Sequence, residues 1–433
     1  MDTYNYIISA ADAMADELTA TRRDFHKYAE AGWLEMRTSS LIARRLADLG
    51  YEVLVGEQVC KKDARMGVPE EAVLEKAYER AVLQGGDPAF LPATKGGQTG
   101  VIGILRCGEG PTVAMRFDID ALGVVETDNP DHFPAREGFA SVNSGAMHAC
   151  GHDGHGTIGL GVAKVLMSLK DKLHGTVKLI FQPAEEGVRG AKSIVENGHL
   201  DNVDYFIGSH ITGSGDGSLH LIPGSYGSLA TCKYDAVFTG RAAHAGASPH
   251  GGNNAMLAAA AAVLHLYAIP RHGEGASRIN VGTLTAGTGR NVIADRAKME
   301  LEVRGANTKI NRYMCEKAEQ VLKNCAQMYG CSVEWKLAGA AESMTSDEDF
   351  AVQLGAIARD AGLPVGPTAI PSFGSEDVAY MMNRVQEQGG KATFMRLMTK
   401  TYAPAHNVAY NFDEAVLPLG VKAFCIAVCH LLK

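Results

Sequence analysis

The chain has 433 residues, of which 46% are hydrophobic and 21% are charged, and both fractions are ordinary for a globular protein. This length exceeds what one hydrophobic core usually serves, so two domains are expected. The formal net charge of −8 argues against a nucleic-acid-binding surface, which needs clustered lysine and arginine.

The sequence gives no sign of export or of membrane insertion. Its first six residues lack the basic and apolar regions of a secretory signal. No uncharged apolar stretch reaches the roughly 18 residues that predict a membrane span. The nine cysteines follow no regular framework, which favours reduced thiols and a cytoplasmic location.

Residues 57–97 are predicted to form an insertion in an α/β framework, with one surface helix. Pro69 suits the start of that helix, and Gly85 follows its end. Its apolar face is predicted to consist of Leu74, Tyr78 and Val82. A role in covering the surface is expected here rather than a catalytic one.

From Pro111 onward the pattern alternates between strand and helix. Apolar strands are predicted at 112–117, 176–181 and 203–208, and an apolar helix at 158–169. This alternation predicts a doubly wound, mostly parallel sheet, in which ligands bind beyond the carboxyl ends of the strands. Polar residues follow the three strands: Asp118 and Asp120, then Glu185 and Glu186, then His210.

The pattern changes near residue 227. Strands are predicted at 233–239, 278–284, 298–303 and 331–335, and helices at 255–267 and 311–328. The order β-α-β-β-α-β predicts a small α+β sandwich inserted into the first domain. We therefore expect one domain at 1–226 and 340–433 and an inserted domain at 227–339. The alanine-rich helix of the inserted domain is expected to be buried.

The densest chemical signal lies between Met147 and His155. Three histidines, one cysteine and one aspartate occur within eight positions, and these residue types can converge on a cation. Cys150 would bind as a thiolate, and Asp153 could orient an imidazole. An inert cysteine among solvent-facing histidines is the alternative. The segment lacks the repeated Cys-x-x-Cys pairs of structural zinc sites, which favours a catalytic metal.

Two adjacent carboxylates, Glu185 and Glu186, directly follow a predicted strand. One can bind a metal while the other takes a proton from a bound water, although such a pair alone is also typical of a solvated acidic turn. Three isolated histidines follow at His210, His244 and His406. Each alone is more often structural than functional, and only the position of His210 at a strand end favours a role as ligand.

Together these motifs resemble the metallo-amidohydrolase and carboxypeptidase family that includes hippurate hydrolases, auxin-conjugate hydrolases and N-acyl-amino-acid deacetylases. The resemblance runs from Arg22 to the C-terminal helix. The matching segments are Asp118-Ile-Asp-Ala-Leu122, Met147-His-Ala-Cys-Gly-His-Asp153, Gln182-Pro-Ala-Glu-Glu-Gly187, Gly240 to Gly246, Gly289-Arg-Asn-Val-Ile293, Gly374-Ser-Glu-Asp377 and His406-Asn407.

The resemblance implies an amidohydrolase with two divalent metal ions, Mn²⁺ or Zn²⁺, that cleaves an amide bond next to a free carboxylate. Glu185 would be its general base and His244 would stabilise the oxyanion, while Asn291 and Arg304 would meet the substrate carboxylate. The implied metal ligands are Cys150, His152, Glu186, His210 and His406.

Three aspartates, Asp118, Asp120 and Asp153, are expected to support the metal ligands from behind. Many members of the family carry a histidine ligand at the position of Asp118. Asp118 therefore stays open between a metal ligand and a supporting residue.

The resemblance also implies that the domain at 227–339 is a lid and a dimerisation domain, and that the insertion at 57–97 is specific to a subgroup. The expected assembly is a homodimer or a heterodimer with a homologous second subunit, without nucleic-acid or membrane partners. A general N-acyl-amino-acid hydrolase or dipeptidase is the alternative within enzymes. A non-catalytic subunit of a hetero-oligomeric hydrolase is the alternative from another class.

Overall fold

The computed structural model describes residues 3–372 and 374–433, and the chain divides into two compact units. The first unit contains the chain up to Tyr226, Thr345–Pro371 and Asp377–Lys433, and the second contains Gly227–Met344 and the described residues of 372–376. The expected boundaries were at 226/227 and 339/340. The first coincides with the division in the structure. The second division in the structure falls between Met344 and Thr345, five residues after the expected boundary.

Twelve α-helices occur among the described residues. They are α1 (Thr3–Ala13), α2 (Ala15–Lys27), α3 (Met36–Leu49), α4 (Glu71–Leu83), α5 (Phe133–Arg136), α6 (His152–Ser168), α7 (Ala191–Val195), α8 (Ala255–Tyr267), α9 (Thr308–Met328), α10 (Glu348–Asp360), α11 (Ala379–Glu387) and α12 (Val416–Leu431).

Thirteen β-strands occur in the same part of the chain. They are β1 (Glu52–Val55), β2 (Val101–Arg106), β3 (Thr112–Asp118), β4 (Thr176–Gln182), β5 (Tyr205–Gly213), β6 (His220–Ile222), β7 (Gly224–Tyr226), β8 (Ala230–Thr239), β9 (Ser277–Ala286), β10 (Arg296–Gly305), β11 (Ser332–Ala341), β12 (Ala369–Pro371) and β13 (Lys391–Thr399).

The first unit is built on a seven-stranded sheet with the order β1-β2-β4-β3-β5-β13-β6. Its centre, β4-β3-β5-β13, is parallel, and the strands toward both edges pair antiparallel. The large hydrophobic core includes residues of α1, α2, α3, α6, α10 and α12. The predicted α/β fold class with a largely parallel sheet is confirmed, with antiparallel strands added at the edges.

The central strands are buried along almost their whole length, as expected for parallel strands covered on both faces. In β3 every residue after Thr112 is buried. Arg116 differs from its apolar neighbours in β3, because its charged guanidinium is fully buried. Such a charge needs partners, and it finds them in Asp118 and Asp377.

Two predicted boundaries in this unit are wrong in ways that affect the site. Helix α6 begins at His152 rather than near residue 158, so His152 and His155 lie in its first turn instead of in a loop before it. Strand β5 continues to Gly213, so His210 lies within the strand and not at its end. In both cases the polar residues are tolerated in regular structure because their side chains are hydrogen-bonded.

The insertion contains the predicted helix as α4, but its buried face differs. Leu74 is buried as predicted, whereas Val82 is 53% exposed. The small residues Ala77 and Ala81 are buried instead, because they permit close packing where a larger side chain would not fit.

The second unit has the predicted order of elements. Its antiparallel sheet has the order β11-β8-β10-β9, and α8 and α9 contribute to its core. The prediction that α8 is buried is wrong for half of the helix. Several of its apolar side chains are at least two-fifths exposed: Met256, Leu257, Leu264 and Tyr267.

No helix in the described part of the chain is long and apolar enough to cross a membrane. All nine cysteines are free thiols.

Candidate metal centre

The first turn of α6 carries His152, whose ring orientation is fixed by Asp120. The His152 Nδ1–H donates to the backbone oxygen of Asp120 at 2.9 Å and to its Oδ1 at 3.3 Å. Both acceptors are oxygens, so Nδ1 must carry the hydrogen. The opposite atom, Nε2, is buried and has no hydrogen-bond partner among the described residues. A free, buried ring nitrogen of this kind is suited to bind a metal.

The charge of His152 depends strongly on its neighbours. Burial opposes the charged ring, but the Asp118 carboxylate and the hydrogen bond to Asp120 outweigh it, so the pKa of His152 lies well above its usual value. A cation at Nε2 would therefore have to displace a proton.

Cys150 precedes α6 and faces His210. Its Sγ lies 3.4 Å from His210 Nε2, while His210 Nδ1–H donates to the backbone oxygen of Ile211 at 2.6 Å. Burial lowers the pKa of His210 well below its usual value, with His155 adding to the effect, so His210 is a neutral imidazole. Burial also raises the pKa of the Cys150 thiol, and a bound metal would overcome this by deprotonating it.

The structure brings all five predicted metal ligands together. In each of three groups, the potential ligand atoms lie within 4.8 Å of one another. The groups are Cys150 with His152 and His210, Cys150 with Glu186 and His406, and His152 with Glu185 and Glu186. Cys150 belongs to two of these groups, so the two candidate groups adjoin at its thiol.

His406 completes the second of these sites from a loop near the C-terminus. Its backbone N–H donates to the oxygen of Ala149 at 2.7 Å, and its φ of 67° is uncommon for a residue other than glycine. Its Nε2 lies 3.7 Å from Glu186 Oε1. A non-glycine residue held in this conformation points to functional constraint on the loop.

Asp118 is occupied by protein groups on both oxygens. Its Oδ2 lies 2.6 Å from Arg116 Nη1, and its Oδ1 accepts the Nδ1 hydrogen of His155. The second nitrogen of His155 accepts the backbone N–H of Ile211 at 2.8 Å, which fixes that tautomer. Burial opposes the charge of Asp118, yet Arg116 and the two histidines keep its pKa well below the usual value.

The loop after β4 carries Glu185 and Glu186 and is held through its backbone by buried carboxylates. Asp120 accepts the N–H groups of Glu185 and Glu186 through its two oxygens at 3.0 and 2.9 Å. Glu35 accepts the N–H of Ala184 at 2.8 Å, and Asp377 accepts the N–H groups of residues 190 and 191 at 2.9 Å each. The loop is thus clamped on both sides of the two glutamates.

Asp153, which is expected from the sequence to orient an imidazole, contacts the imidazole of His26. Its Oδ2 accepts from Arg22 Nε and from His26 Nδ1, both at 2.8 Å. His152 is oriented by Asp120 instead. Burial opposes the charge of Asp153, but Arg22 and His26 lower its pKa. This buried network lies directly behind the first turn of α6.

The second unit presents His244 in one defined tautomer. Its Nδ1 accepts the backbone N–H groups of Gly246 and Ala247 at 3.1 and 3.0 Å, so the hydrogen lies on Nε2 of an exposed ring. Asn291 lies on the neighbouring segment, where its backbone oxygen accepts the N–H of Ala245 at 3.0 Å. His244 and Asn291 are therefore close together, as their predicted roles require.

Arg304 has a partner on its own strand. Its guanidinium binds both carboxylate oxygens of Glu302, at 2.7 and 2.9 Å, as a bidentate pair on the open face of β10. A substrate carboxylate at Arg304 would have to share or replace this contact.

Sequence reasoning missed several residues that organise the centre. Arg22, His26 and Asp377 lie within the stretch covered by the family resemblance but have no predicted role, His155 is predicted only as part of the histidine cluster, and Arg116 and Glu35 are not predicted to act in the site. One signal was available: a lone arginine inside the apolar strand β3 predicts a buried ion pair.

The arrangement of an α/β sheet, a mixed thiolate, imidazole and carboxylate ligand set and an adjacent glutamate defines a metal-dependent hydrolase. Residues 114–430 match the model of peptidase family M20/M25/M40, and the chain belongs to this family. It is 45% identical over 425 residues to one subunit of the p-aminobenzoyl-glutamate hydrolase of Escherichia coli (strain K12), covering 98% of this chain and 97% of the relative.

Two further proteins bear on substrate and metal. The indole-3-acetyl-aspartic acid hydrolase of Enterobacter agglomerans is 47% identical over 414 residues, covering 95% of this chain and 94% of the relative. The crystal structure of a dinuclear metal-binding M20 peptidase from Bacillus subtilis aligns with a TM-score of 0.66 at 26% identity, covering 97% of this chain and 99% of that chain.

Proposed function

We propose that this protein hydrolyses the amide bond of p-aminobenzoyl-glutamate, a product of folate breakdown, to p-aminobenzoate and glutamate. The observation that carries the catalytic part is the pair of adjoining ligand groups that share Cys150, with Glu185 beside them. The substrate comes from the resemblance to the p-aminobenzoyl-glutamate hydrolase of Escherichia coli. We place the reaction in the cytoplasm, consistent with nine free thiols.

The residues present fit a pair of divalent ions. Within the described part of the chain, the buried Nε2 of His152 has no hydrogen-bond partner, and the donor set of sulfur, nitrogen and oxygen suits Zn²⁺ or Mn²⁺. Cys150, His152 and His210 would hold one ion, and Cys150, Glu186 and His406 the other. When bound, such ions would polarise the amide carbonyl and lower the pKa of a bound water.

Asp118 acts in this proposal as a support rather than as a ligand. Both of its oxygens already contact protein groups, Arg116 and His155. Its negative charge would keep His155 and the neighbouring His152 in place. Asp120 has the most direct supporting role, because it orients the His152 ring and the backbone of both glutamates.

Glu185 is the general base. Its side chain is 10% exposed, and its Oε2 lies 4.0 Å from His152 Nε2, next to the proposed metal position. It takes a proton from the attacking water and delivers it to the nitrogen of the leaving glutamate. Glu186 differs in role because it belongs to the group with Cys150 and His406.

The second unit supplies residues that recognise the reacting amide and the carboxylate. The contacts of residues 246 and 247 place the ring hydrogen of His244 on Nε2, and this Nε2–H would donate to the oxyanion. Asn291 and Arg304 would bind the α-carboxylate. Binding at Arg304 requires the guanidinium to turn from Glu302 or to hold both carboxylates at once.

We infer that the working protein is a dimer through its second unit, as a homodimer or with a homologous second subunit. The support is the exposed apolar side of α8, where Leu264 is 73% exposed and Leu257 is 49% exposed. Exposed apolar patches of this kind mark interaction surfaces. His244 would then serve the neighbouring active site, which gives the inserted unit the role of a lid.

A substrate panel tests this proposal. The metal-free purified chain, reconstituted with Mn²⁺ or Zn²⁺, is assayed on p-aminobenzoyl-glutamate, its α-methyl ester, indole-3-acetyl-aspartate and N-acetyl amino acids. We expect the highest kcat/KM on the first compound and a large loss on the ester. Higher kcat/KM on indole-3-acetyl-aspartate would favour the activity named for the Enterobacter relative, and equal rates on all compounds would favour a general N-acyl-amino-acid hydrolase or dipeptidase. No turnover by the chain alone, restored by a homologous partner chain, would favour a non-catalytic role.

A further inference from the structure

The loop that carries the two glutamates has an unfavourable backbone conformation. Ala184 and Val188 have φ values of 51° and 60°, in the left-handed region that is costly for residues other than glycine. For a β-branched residue such as Val188 this is a clear outlier. Such a conformation persists only where surrounding contacts hold it, so the contacts of this loop determine where Glu185 and Glu186 lie.

Arg189 contacts this loop and the insertion at the same time. Its Nε–H donates to the backbone oxygen of Glu186 at 2.8 Å, and its Nη1–H donates to the backbone oxygen of Gly67 at 3.1 Å. The guanidinium lies beside Gly32, where an added Cβ would come within 2.2 Å of Nη2. The absence of a side chain at position 32 is therefore what leaves room for this group.

The insertion is itself fixed at the point of contact. The ring N–H of Trp33 donates to the backbone oxygen of Met66 at 2.8 Å, and Trp33 is fully buried. Arg65 lies over the Trp33 ring at 5.3 Å and donates to the backbone oxygens of Gly96 and Gly97 at 2.8 and 2.9 Å. Residues 65–67 are thus tied to the framework and to the end of the insertion.

From these contacts we propose that Arg189 is a positioning residue that couples the 57–97 insertion to the metal-binding loop. Its guanidinium binds the backbone oxygen of Glu186. By fixing this peptide group, it sets the positions of the Glu185 and Glu186 side chains. The insertion then has a function beyond covering the surface. The backbone oxygen of Gly67 holds Arg189 in place, and Arg189 in turn holds the loop. The proposal rests on the proposed function for the roles of Glu185 and Glu186.

The first test compares Arg189→Ala and Arg189→Lys with a control, Arg106→Ala, which removes an exposed arginine paired with Glu52. Mn²⁺ binding to the metal-free proteins is measured without substrate by counting free Mn²⁺ with electron paramagnetic resonance. Loss of a residue that orients ligands typically costs about 10–100-fold in metal affinity or activity. We expect a loss of this size for one of two Mn²⁺ ions in Arg189→Ala, a smaller loss in Arg189→Lys and none in the control.

Kinetics and chemical rescue separate positioning from a general effect on folding. We expect Arg189→Ala to lower kcat with little change in KM, and added methylguanidine to restore part of both Mn²⁺ affinity and kcat. Wild-type Mn²⁺ affinity and kcat in Arg189→Ala would overturn the proposal. The proposal would also be overturned if the metal-free variant melted at a lower temperature while its folded fraction kept the wild-type Mn²⁺ affinity and kcat.

The coupling to the insertion is tested by a double-mutant cycle with Trp33→Phe, which keeps an aromatic ring but removes the donor to Met66. We expect Trp33→Phe to weaken Mn²⁺ binding in the wild-type background and to add nothing in the Arg189→Ala background. Fully additive effects would overturn the coupling. The Mn²⁺ arm uses no substrate, so a wild-type protein that fails to cleave p-aminobenzoyl-glutamate would overturn the proposed function alone.

Discussion

His152 donates its Nδ1 hydrogen to Asp120, whose side chain at the same time accepts the backbone N–H groups of Glu185 and Glu186. One carboxylate thus contacts both the imidazole proposed to bind a metal and the segment that carries the proposed general base. This relationship explains why the two charged motifs, far apart in sequence, present their functional atoms to one point. It also fixes which nitrogen of His152 can bind a metal.

Cys150→Ser is expected to weaken metal binding more than serine at any other cysteine. The Cys150 thiol is shared by two ligand groups, and a serine hydroxyl is a poor replacement for a thiolate. Metal content and dissociation constants of the purified variants measure this. Cys60→Ser is a matched control, because Cys60 is buried but belongs to neither group. Normal metal content and turnover in Cys150→Ser would refute the shared-thiolate assignment.

Glu185→Gln is expected to retain both metals and the fold but to lose about 10²–10⁴-fold in kcat, the usual contribution of a general base. Glu186→Gln is expected to lose metal instead. Metal analysis and steady-state kinetics on both variants distinguish the roles. If Glu185→Gln released metal while Glu186→Gln kept it, the two roles would be exchanged.

The pH dependence of stability should reveal Glu35. Burial and the charge of Asp120 raise the pKa of Glu35 from its usual 4.5 to about 8. Between these values the folded chain retains a proton that the unfolded chain has lost, so this group's stabilising contribution is complete below pH 4.5 and decreases as the pH rises toward 8. Glu35→Gln cannot ionise, so the metal-free variant should gain stability relative to wild type over that range.

Urea unfolding of the metal-free proteins at several pH values measures the difference, with Glu57→Gln, at an exposed position, as control. A constant difference between wild type and Glu35→Gln from pH 5 to pH 8 would contradict the raised pKa.

His244 is expected to act in the active site of the neighbouring subunit. Inactive Glu185→Ala protein is mixed with inactive His244→Ala protein, and the protomers are allowed to exchange. If His244 acts in trans, hybrids contain one intact site and one doubly damaged site, and activity returns. A mixture that stays inactive after exchange has been verified would show that His244 acts within its own chain. For a heterodimer, the second subunit supplies the histidine in the same experiment.

The dense motif at 147–155 and the family resemblance named five residues from the sequence, and the structure brings these proposed metal ligands together. What the sequence could not predict are the groups that arrive from distant parts of the chain. Glu35 accepts the N–H of Ala184, which is 149 positions away in sequence. Asp377 accepts the N–H of Gly190, which is 187 positions away. No local pattern marks either carboxylate.

The errors in the fold have the same origin. Strand β13 was not predicted, although it lies between β5 and β6 in the central sheet, because its partners are almost two hundred residues earlier. Helix α8 was predicted to be buried from its composition alone. Composition does not reveal that one face of the helix is exposed, as Leu264 shows.

The central claim is that two metal ions in the Cys150 centre drive hydrolysis of the amide. Its most direct test is a titration of the metal-free chain with Mn²⁺ while the release of p-aminobenzoate from p-aminobenzoyl-glutamate is followed. We predict that activity rises until two equivalents are bound per chain, and that Glu185→Gln binds the same two equivalents without releasing product. Full activity in the metal-free protein, or equal turnover by Glu185→Gln, would contradict the account.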